Sequence, residues 1–140
     1  MINIHATLIS FHNKGILLTG KSGAGKSDVA LRMIMDKGAT LVADDRVNVE
    51  CVDGQLYGSS PESIKGLLEI RNVGIGQFNT KPKEKISLCI ELCDNKQDLE
   101  RLPKDEYVDF LGVSITKLKL YQFDCSILCK IVAKIDEYIR

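Results

Sequence analysis

The chain has no tryptophan, only three prolines and no net charge, with 19 lysines and arginines against 19 aspartates and glutamates in 140 residues. Each scarcity excludes something. The charge balance argues against a protein that coats nucleic acid or an anionic membrane, while leaving room for a local basic site. No uninterrupted apolar stretch approaches the ~18–20 residues of a membrane span. The opening Met1-Ile2-Asn3-Ile4-His5 has neither the cationic nor the apolar region of a signal peptide. The prolines, at 61, 82 and 103, punctuate loops and mark no linker, and no internal repeat appears. What remains is one soluble globular domain over residues 1–140, with 44% hydrophobic residues and enough length to bury a core unaided. Five cysteines without a secretion signal point to a reducing cytoplasm.

The pattern of the chain is a βαβ start, several antiparallel-looking strands and a closing helix. Ala6 to Phe11 and Gly15 to Thr19 are short apolar runs of the kind buried strands use. Asp28 to Lys37 reads as a helix capped by Gly38, apolar on more than one side and so packed on two faces. Thr40 to Ala43 is a further buried strand. Val47, Val49 and Cys51 alternate with polar residues, and Asp53-Gly54 turns the chain into Gln55-Leu56-Tyr57. Ile86, Leu88, Ile90 and Leu92 alternate strictly, which predicts a half-buried strand, and Lys117 to Gln122 predicts a shorter one. Asp124 is placed as N-cap of a last helix whose Ile127, Leu128, Ile131, Val132, Ile135 and Tyr138 share a face. The class is α/β, a mixed sheet with flanking helices.

Gly20-Lys21-Ser22-Gly23-Ala24-Gly25-Lys26-Ser27 satisfies G-x-x-x-x-G-K-[ST] at every position. The glycines let backbone N–H groups turn inward and form a nest for phosphate oxygens. Lys26 brings positive charge to the β and γ phosphates, and the Ser27 hydroxyl suits Mg²⁺. The helix that follows points its positive end at the same anions. An apolar strand before the loop and a helix after it supply the context that the motif requires. A nucleoside triphosphate or related polyphosphate is therefore the ligand. The motif does not choose among kinase, ATPase and GTPase. Asn13-Lys14 is followed by glycine and precedes the loop, so it is no guanine-specificity motif.

Asp44-Asp45 ends the strand after the helix, at the sheet edge where such folds bind ligands. With that strand taken as a neighbour of the phosphate-loop strand, a carboxylate there can hold Mg²⁺ or act as general base. A turn-forming pair is the plainer alternative. Glu69 and Arg71 alternate with apolar residues and so would leave a strand on one face. They suit metal plus phosphate, or equally a surface ion pair.

Four segments together resemble the catalytic domain of the bifunctional HPr kinase/phosphorylase family: His5, Gly20 to Ser27, Leu41-Val42-Ala43-Asp44-Asp45, and Leu68-Glu69-Ile70-Arg71 with Val73-Gly74-Ile75 behind it. The match is close from residue 5 to about 76 and looser beyond. It looks like the short form of the family, without the separate N-terminal domain of longer members. The resemblance implies a phosphoenolpyruvate-carboxykinase-like nucleotide-binding core. It implies an ATP- and Mg²⁺-dependent protein-serine kinase, with pyrophosphate as the alternative donor. The partner would be HPr or an HPr-like phosphocarrier, and the assembly a homo-oligomer, a hexamer in the long form.

The resemblance also assigns roles. Asp44 would take the proton from the seryl hydroxyl and, in phosphorolysis, return it to the leaving serine. His5 and Lys26 would complete the active centre, and Ser27 and Glu69 would hold Mg²⁺. Asp45 and Arg71 would support them. A further catalytic arginine best matches Arg101, in Leu99-Glu100-Arg101-Leu102. Two positions depart from the family pattern. Asn72 stands where the signature has glycine, and asparagine tolerates a left-handed backbone. Gln122-Phe123-Asp124-Cys125 stands where long members carry an arginine, which weighs against phosphorylase activity and the hexamer.

Other readings stand beside this one. A small P-loop metabolite kinase and a non-catalytic nucleotide-sensing module would use the same loop. Cys89, Cys93, Cys125 and Cys129 could be drawn as a zinc site, but cysteines are often core residues. His12 reads as a loop residue, and Lys81, Lys83 and Lys85 as a solvated loop.

Overall fold

Strands β3 (Lys14–Thr19) and β9 (Lys83–Cys93) run parallel through the middle of a nine-stranded sheet in the computed structural model, which describes residues 1–136. On one side of β3 lie β2 (Thr7–Phe11) and then β4 (Thr40–Ala43), each antiparallel to its neighbour. On the other side, β9 pairs with β11 (Val113–Tyr121), again in parallel, and β11 pairs back to β10 (Glu106–Phe110). The N-terminal end of β9 instead pairs with β6 (Gln55–Ser59), which leads through β5 (Val47–Val52) to β1 (Ile2–Ile4). Helix α1 (Lys26–Lys37) and helix α2 (Ile127–Ile135) flank the sheet. A separate hairpin of β7 (Leu67–Ile70) and β8 (Gly74–Gln77) packs against α1.

This order corrects one expectation. The strands before and after α1 are not neighbours, because β2 inserts between β3 and β4. Since β2 is antiparallel to both, β3 and β4 still point the same way. The C-terminal ends of β3, β4, β9 and β11 and the N-terminal end of β2 therefore share one sheet edge. That edge carries the phosphate loop, Asp44, Gln122 and the approach to Thr7.

The two faces of the sheet bury separate cores. One packs Ile9, Ile16, Leu18, Leu88 and Ile90 under Val29, Ala30 and Met33 of α1 and Ile127 and Ile131 of α2. The other gathers Leu8, Leu17, Val47, Val49, Leu56 and Ile86. Ile86 and Leu88 fall on opposite faces although they are two residues apart. The register shift between Gly15 and Ile16 explains it: Gly15 pairs with Ile86 and Ile16 with Leu88, so Ser87 is the extra residue of a bulge. β9 is thus covered on both sides, not half-buried, and Cys89 is a core residue. A Cβ on Gly15 would lie 2.4 Å from the Lys85 carbonyl oxygen, so only glycine permits this approach of β3 to the bulge.

The structure departs from the sequence reading at other points as well. Lys117 to Tyr121 is the end of a longer strand and Gln122 lies in the turn after it, and the β10–β11 hairpin closes through Leu111 and Gly112, both at positive φ. Met35 is exposed, so α1 is fully packed on one face only. Asp124 does not cap α2 directly. The helix starts after Ser126, and Asp124 Oδ1 accepts the Ser126 N–H at 2.9 Å and pairs with Lys130. Tyr138 lies outside the described residues. Lys83 and Lys85 sit on β9, and Lys83 pairs with Glu50 at 2.7 Å.

Among the described residues Glu84 is the one buried acid away from the phosphate-loop edge. Ser10 Oγ donates to its Oε2 at 2.6 Å, Lys81 Nζ at 2.7 Å, and the Lys85 N–H donates to Oε1 at 3.0 Å. Burial opposes the charged carboxylate, but these donors outweigh it and hold its pKa below the ordinary value. A depressed folded-state pKa means that this contribution to stability is present above the unfolded pKa and lost as pH falls through the folded one. Unfolding midpoints should therefore drop on acidification below about pH 4.3, the unperturbed glutamate value. The Glu84→Gln variant should show a shallower drop, measured by urea denaturation across the acid range.

Candidate active site

The phosphate loop begins where β3 ends. Gly20, Gly23 and Gly25 have φ of 146°, 81° and 90°, a region where side chains are strained. Gly25 is also the N-cap of α1, and no side chain caps the helix there. The first N–H groups of α1 are thus aimed at the loop concavity, with the helix dipole behind them. Lys26 is buried, and its Nζ donates to the carbonyls of Gly20 at 3.1 Å and Lys21 at 2.9 Å. Burial pushes its pKa below the ordinary lysine value, while Asp45 and Asp44 pull the other way.

Asp44 is the centre of the other half of the site. It is buried, and its Oδ1 accepts two hydrogen bonds at 2.8 Å, from Ser27 Oγ and from Thr7 Oγ1. The chain then turns sharply: the Arg46 N–H donates to the Asp44 carbonyl at 2.8 Å, with Asp45 between them at φ 69°. This three-residue turn is a strained conformation, of the sort held at functional sites. It sends Asp44 inward and leaves Asp45 exposed, where its Oδ1 lies 3.1 Å from His5 Nε2.

The structure therefore brings together Lys26, Ser27, Asp44, Asp45 and His5. It adds Thr7, which sequence reasoning passed over because a threonine in an apolar strand looks like an ordinary β residue. Its signal was its place at the start of β2, two residues after His5, once β2 is known to adjoin β4. Thr7→Val keeps shape and burial and removes one hydrogen bond to a carboxylate. Stability should fall by about 1.5 kcal/mol, read from the denaturation midpoint, since Ser27 still serves the same oxygen.

Other candidates stand apart. Glu69 is exposed on β7, and Arg71 lies in the turn after it rather than on the strand, so the two do not share a strand face. Asn72 in that turn has φ 69°, the left-handed conformation expected of it. Among the described residues no hydrogen bond or ion pair joins Glu69, Arg71 or Arg101 to the loop. Arg101 is exposed in the connection between β9 and β10. His12 stacks on Phe11 and its Nδ1 lies 2.7 Å from Asp136, far from the loop. All five thiols are free, and the described residues hold no group of three or more metal-type side chains.

The donor set fits a hard cation. Ser27 Oγ and Asp44 Oδ1 are oxygens 2.8 Å apart at the mouth of a phosphate nest, the ligand type Mg²⁺ prefers. Chemically the arrangement can bind a polyphosphate, neutralise it with Lys26 and backbone dipoles, and present a carboxylate to an incoming hydroxyl.

The chain is 39% identical over 127 residues to the HPr kinase/phosphorylase of Clostridium kluyveri, covering 84% of this chain and 41% of that protein. It is 41% identical over 128 residues to the HPr kinase/phosphorylase of a Geobacillus species, with the same coverage. The chain thus spans about two fifths of the length of these curated relatives. The fold matches the structure of the HPr(Ser) kinase/phosphatase from Coxiella burnetii with a TM-score of 0.86, at 24% identity, over 99% of this chain and 96% of that one. No helix among the described residues is long and apolar enough to cross a membrane. The model of the HPr Serine kinase C-terminal domain matches residues 1–134, and the chain belongs to that family.

Proposed function

We propose that the chain is a protein-serine kinase that transfers the γ-phosphoryl group of ATP to a seryl hydroxyl of HPr or an HPr-like phosphocarrier, in the cytoplasm. The observation that carries this reading is the bond between Ser27 of the phosphate loop and the buried Asp44, at 2.8 Å, which sets a carboxylate against the phosphate nest. The loop amides and Lys26 bind the β and γ phosphates of ATP. Asp44, oriented by Thr7, accepts the proton of the seryl hydroxyl as its oxygen attacks the γ phosphorus. The bond to the bridging oxygen breaks, ADP leaves, and the proton remains on Asp44 until solvent removes it. Ser27, with Glu69 of the β7–β8 hairpin, would hold Mg²⁺, which would supply charge neutralisation of the phosphates. His5 beside Asp45 lines the same edge, and Arg71 and Arg101 are candidates to meet the carrier-bound phosphate. Phosphorolysis would run the same proton path backwards, with phosphate as nucleophile. Residues 1–140 act as one catalytic domain in this reading, as a homo-oligomer.

Incubation with labelled ATP, Mg²⁺ and purified HPr tests it. Acid-stable label on HPr is expected, because a seryl phosphoester survives acid and a phosphohistidine does not. Label on a small molecule from an extract would instead favour a metabolite kinase, and binding without transfer a sensing module.

A further inference from the structure

Strand β4 carries one more residue than its partner requires. Leu8 of β2 pairs with Ala43 and Ile9 with Leu41, so Val42 is the extra residue of a bulge. Val42 and Ala43 accordingly both turn to the core that gathers Leu8 and Leu17. Asp44 then falls on the other face, toward α1, where it meets Ser27 and Thr7. Counted from the Leu41 pair without the extra residue, Asp44 would lie on the face away from Ser27. The bulge is what aims the carboxylate. Packing does not hold it alone, because a cavity of about 250 Å³ lies against Val42. What pins β4 just before the bulge is polar. The Lys81 N–H donates to the Leu41 carbonyl at 3.0 Å, and Thr80 forms a β-bridge with Leu41. Lys81 Nζ in turn donates to the buried Glu84 Oε2 at 2.7 Å. Ser10, the partner of Thr40, donates to the same oxygen at 2.6 Å. Glu84 thus ties β2 and the segment along β4 to the start of β9.

We propose that Glu84 is a positioning residue for phosphoryl transfer: with Lys81 and Ser10 it clamps the register of β4 on β2 and so keeps Asp44 facing the phosphate nest. The effect on rate rests on the kinase reading, and the effect on geometry does not. A buried ion pair adds little net stability, and its best-attested use is to fix one register against its alternatives. The alternative here is a regular β4, one residue out of step, with Asp44 turned from Ser27. Glu84 touches no reacting atom and acts only through the place of Asp44. The phosphate loop hangs from the far end of β3, since Ser10 pairs with Gly15 and the loop follows Thr19. Nucleotide binding should therefore be spared.

Glu84→Gln keeps the volume and an acceptor for the Lys85 N–H but gives up the ion pair with Lys81. At a temperature where the variant is fully folded, transfer to HPr should slow by about tenfold to hundredfold, the scale of a small misplacement of a catalytic group. Affinity for the β,γ-imido analogue of ATP should stay at the wild-type value. In amide NMR spectra of the labelled chain, the Asp44 and Asp45 signals should move while those of Gly23 and Gly25 stay. Lys81→Met should act in the same way, and it serves if the glutamine variant folds poorly. Lys81→Arg keeps the pair and should retain the wild-type rate. A wild-type rate in both Glu84→Gln and Lys81→Met, or rate and nucleotide affinity falling together, would overturn the proposal and leave the kinase reading standing. No transfer by the wild type would overturn the kinase reading, and the Asp44 and Asp45 signals would still decide the clamp: unmoved, they overturn it.

Discussion

Replacing Asp44 with asparagine should slow seryl transfer by about 10²–10⁴-fold, the usual contribution of a positioned general base, and leave ATP bound. Asparagine has nearly the same volume, and its carbonyl oxygen can still accept the bonds that Thr7 and Ser27 make at 2.8 Å. The strained turn at Asp45 is untouched. What is lost is the capacity to hold a proton and the charge that faces the nest. Phosphoserine formation followed over time, beside a nucleotide titration, separates the two effects. A variant that transfers at the wild-type rate would show that Asp44 only shapes the edge.

Lys26→Ala should produce a loss of similar size by a different route. Its ammonium donates to two loop carbonyls that a bound phosphate would compete with. Removing one preorganised electrostatic donor commonly costs about 10²–10³ in rate. Nucleotide affinity should also fall here, unlike in Asp44→Asn. Stability should change by less than about 1 kcal/mol, because relief from burying a charge offsets two modest hydrogen bonds. The burial that lowers the Lys26 pKa is the sign of that offset. Rate, affinity and denaturation midpoint measured on one preparation distinguish a lost phosphate ligand from a collapsed loop.

The parts legible in the sequence are those fixed by local chemistry. Glycines at 20, 23 and 25 read as a phosphate nest because only positive φ builds one, and the structure gives all three that conformation. Asp53-Gly54 read as a hairpin turn for the same reason. The parts that escaped depend on contacts distant in sequence. Nothing local says that β2 inserts between β3 and β4, so Thr7 could not be placed against Asp44, 37 residues away. The strict alternation from Ile86 to Leu92 conceals the bulge at Ser87, since one extra residue flips the face without altering the pattern. Arg71 read as a strand residue because the turn that removes it from β7 begins at that position. Gln122 carries no motif at all. Its Cβ lies near Gly25 and its buried oxygen has no hydrogen-bond partner among the described residues, which only packing reveals.

The lack of net charge takes on a definite meaning. Anion binding at this edge comes from Lys26, the loop amides and the α1 dipole, while Asp44 and Asp45 lie beside them. If HPr is the substrate, as proposed, its attraction would come from local contact rather than a long-range field, and transfer should be insensitive to moderate salt. Site-resolved mass spectrometry of HPr, after incubation with the chain, ATP and Mg²⁺, tests the central claim most directly. The expected result is phosphate on a single seryl residue, absent when Asp44→Asn replaces the wild type. Unmodified HPr in the presence of bound ATP would contradict it.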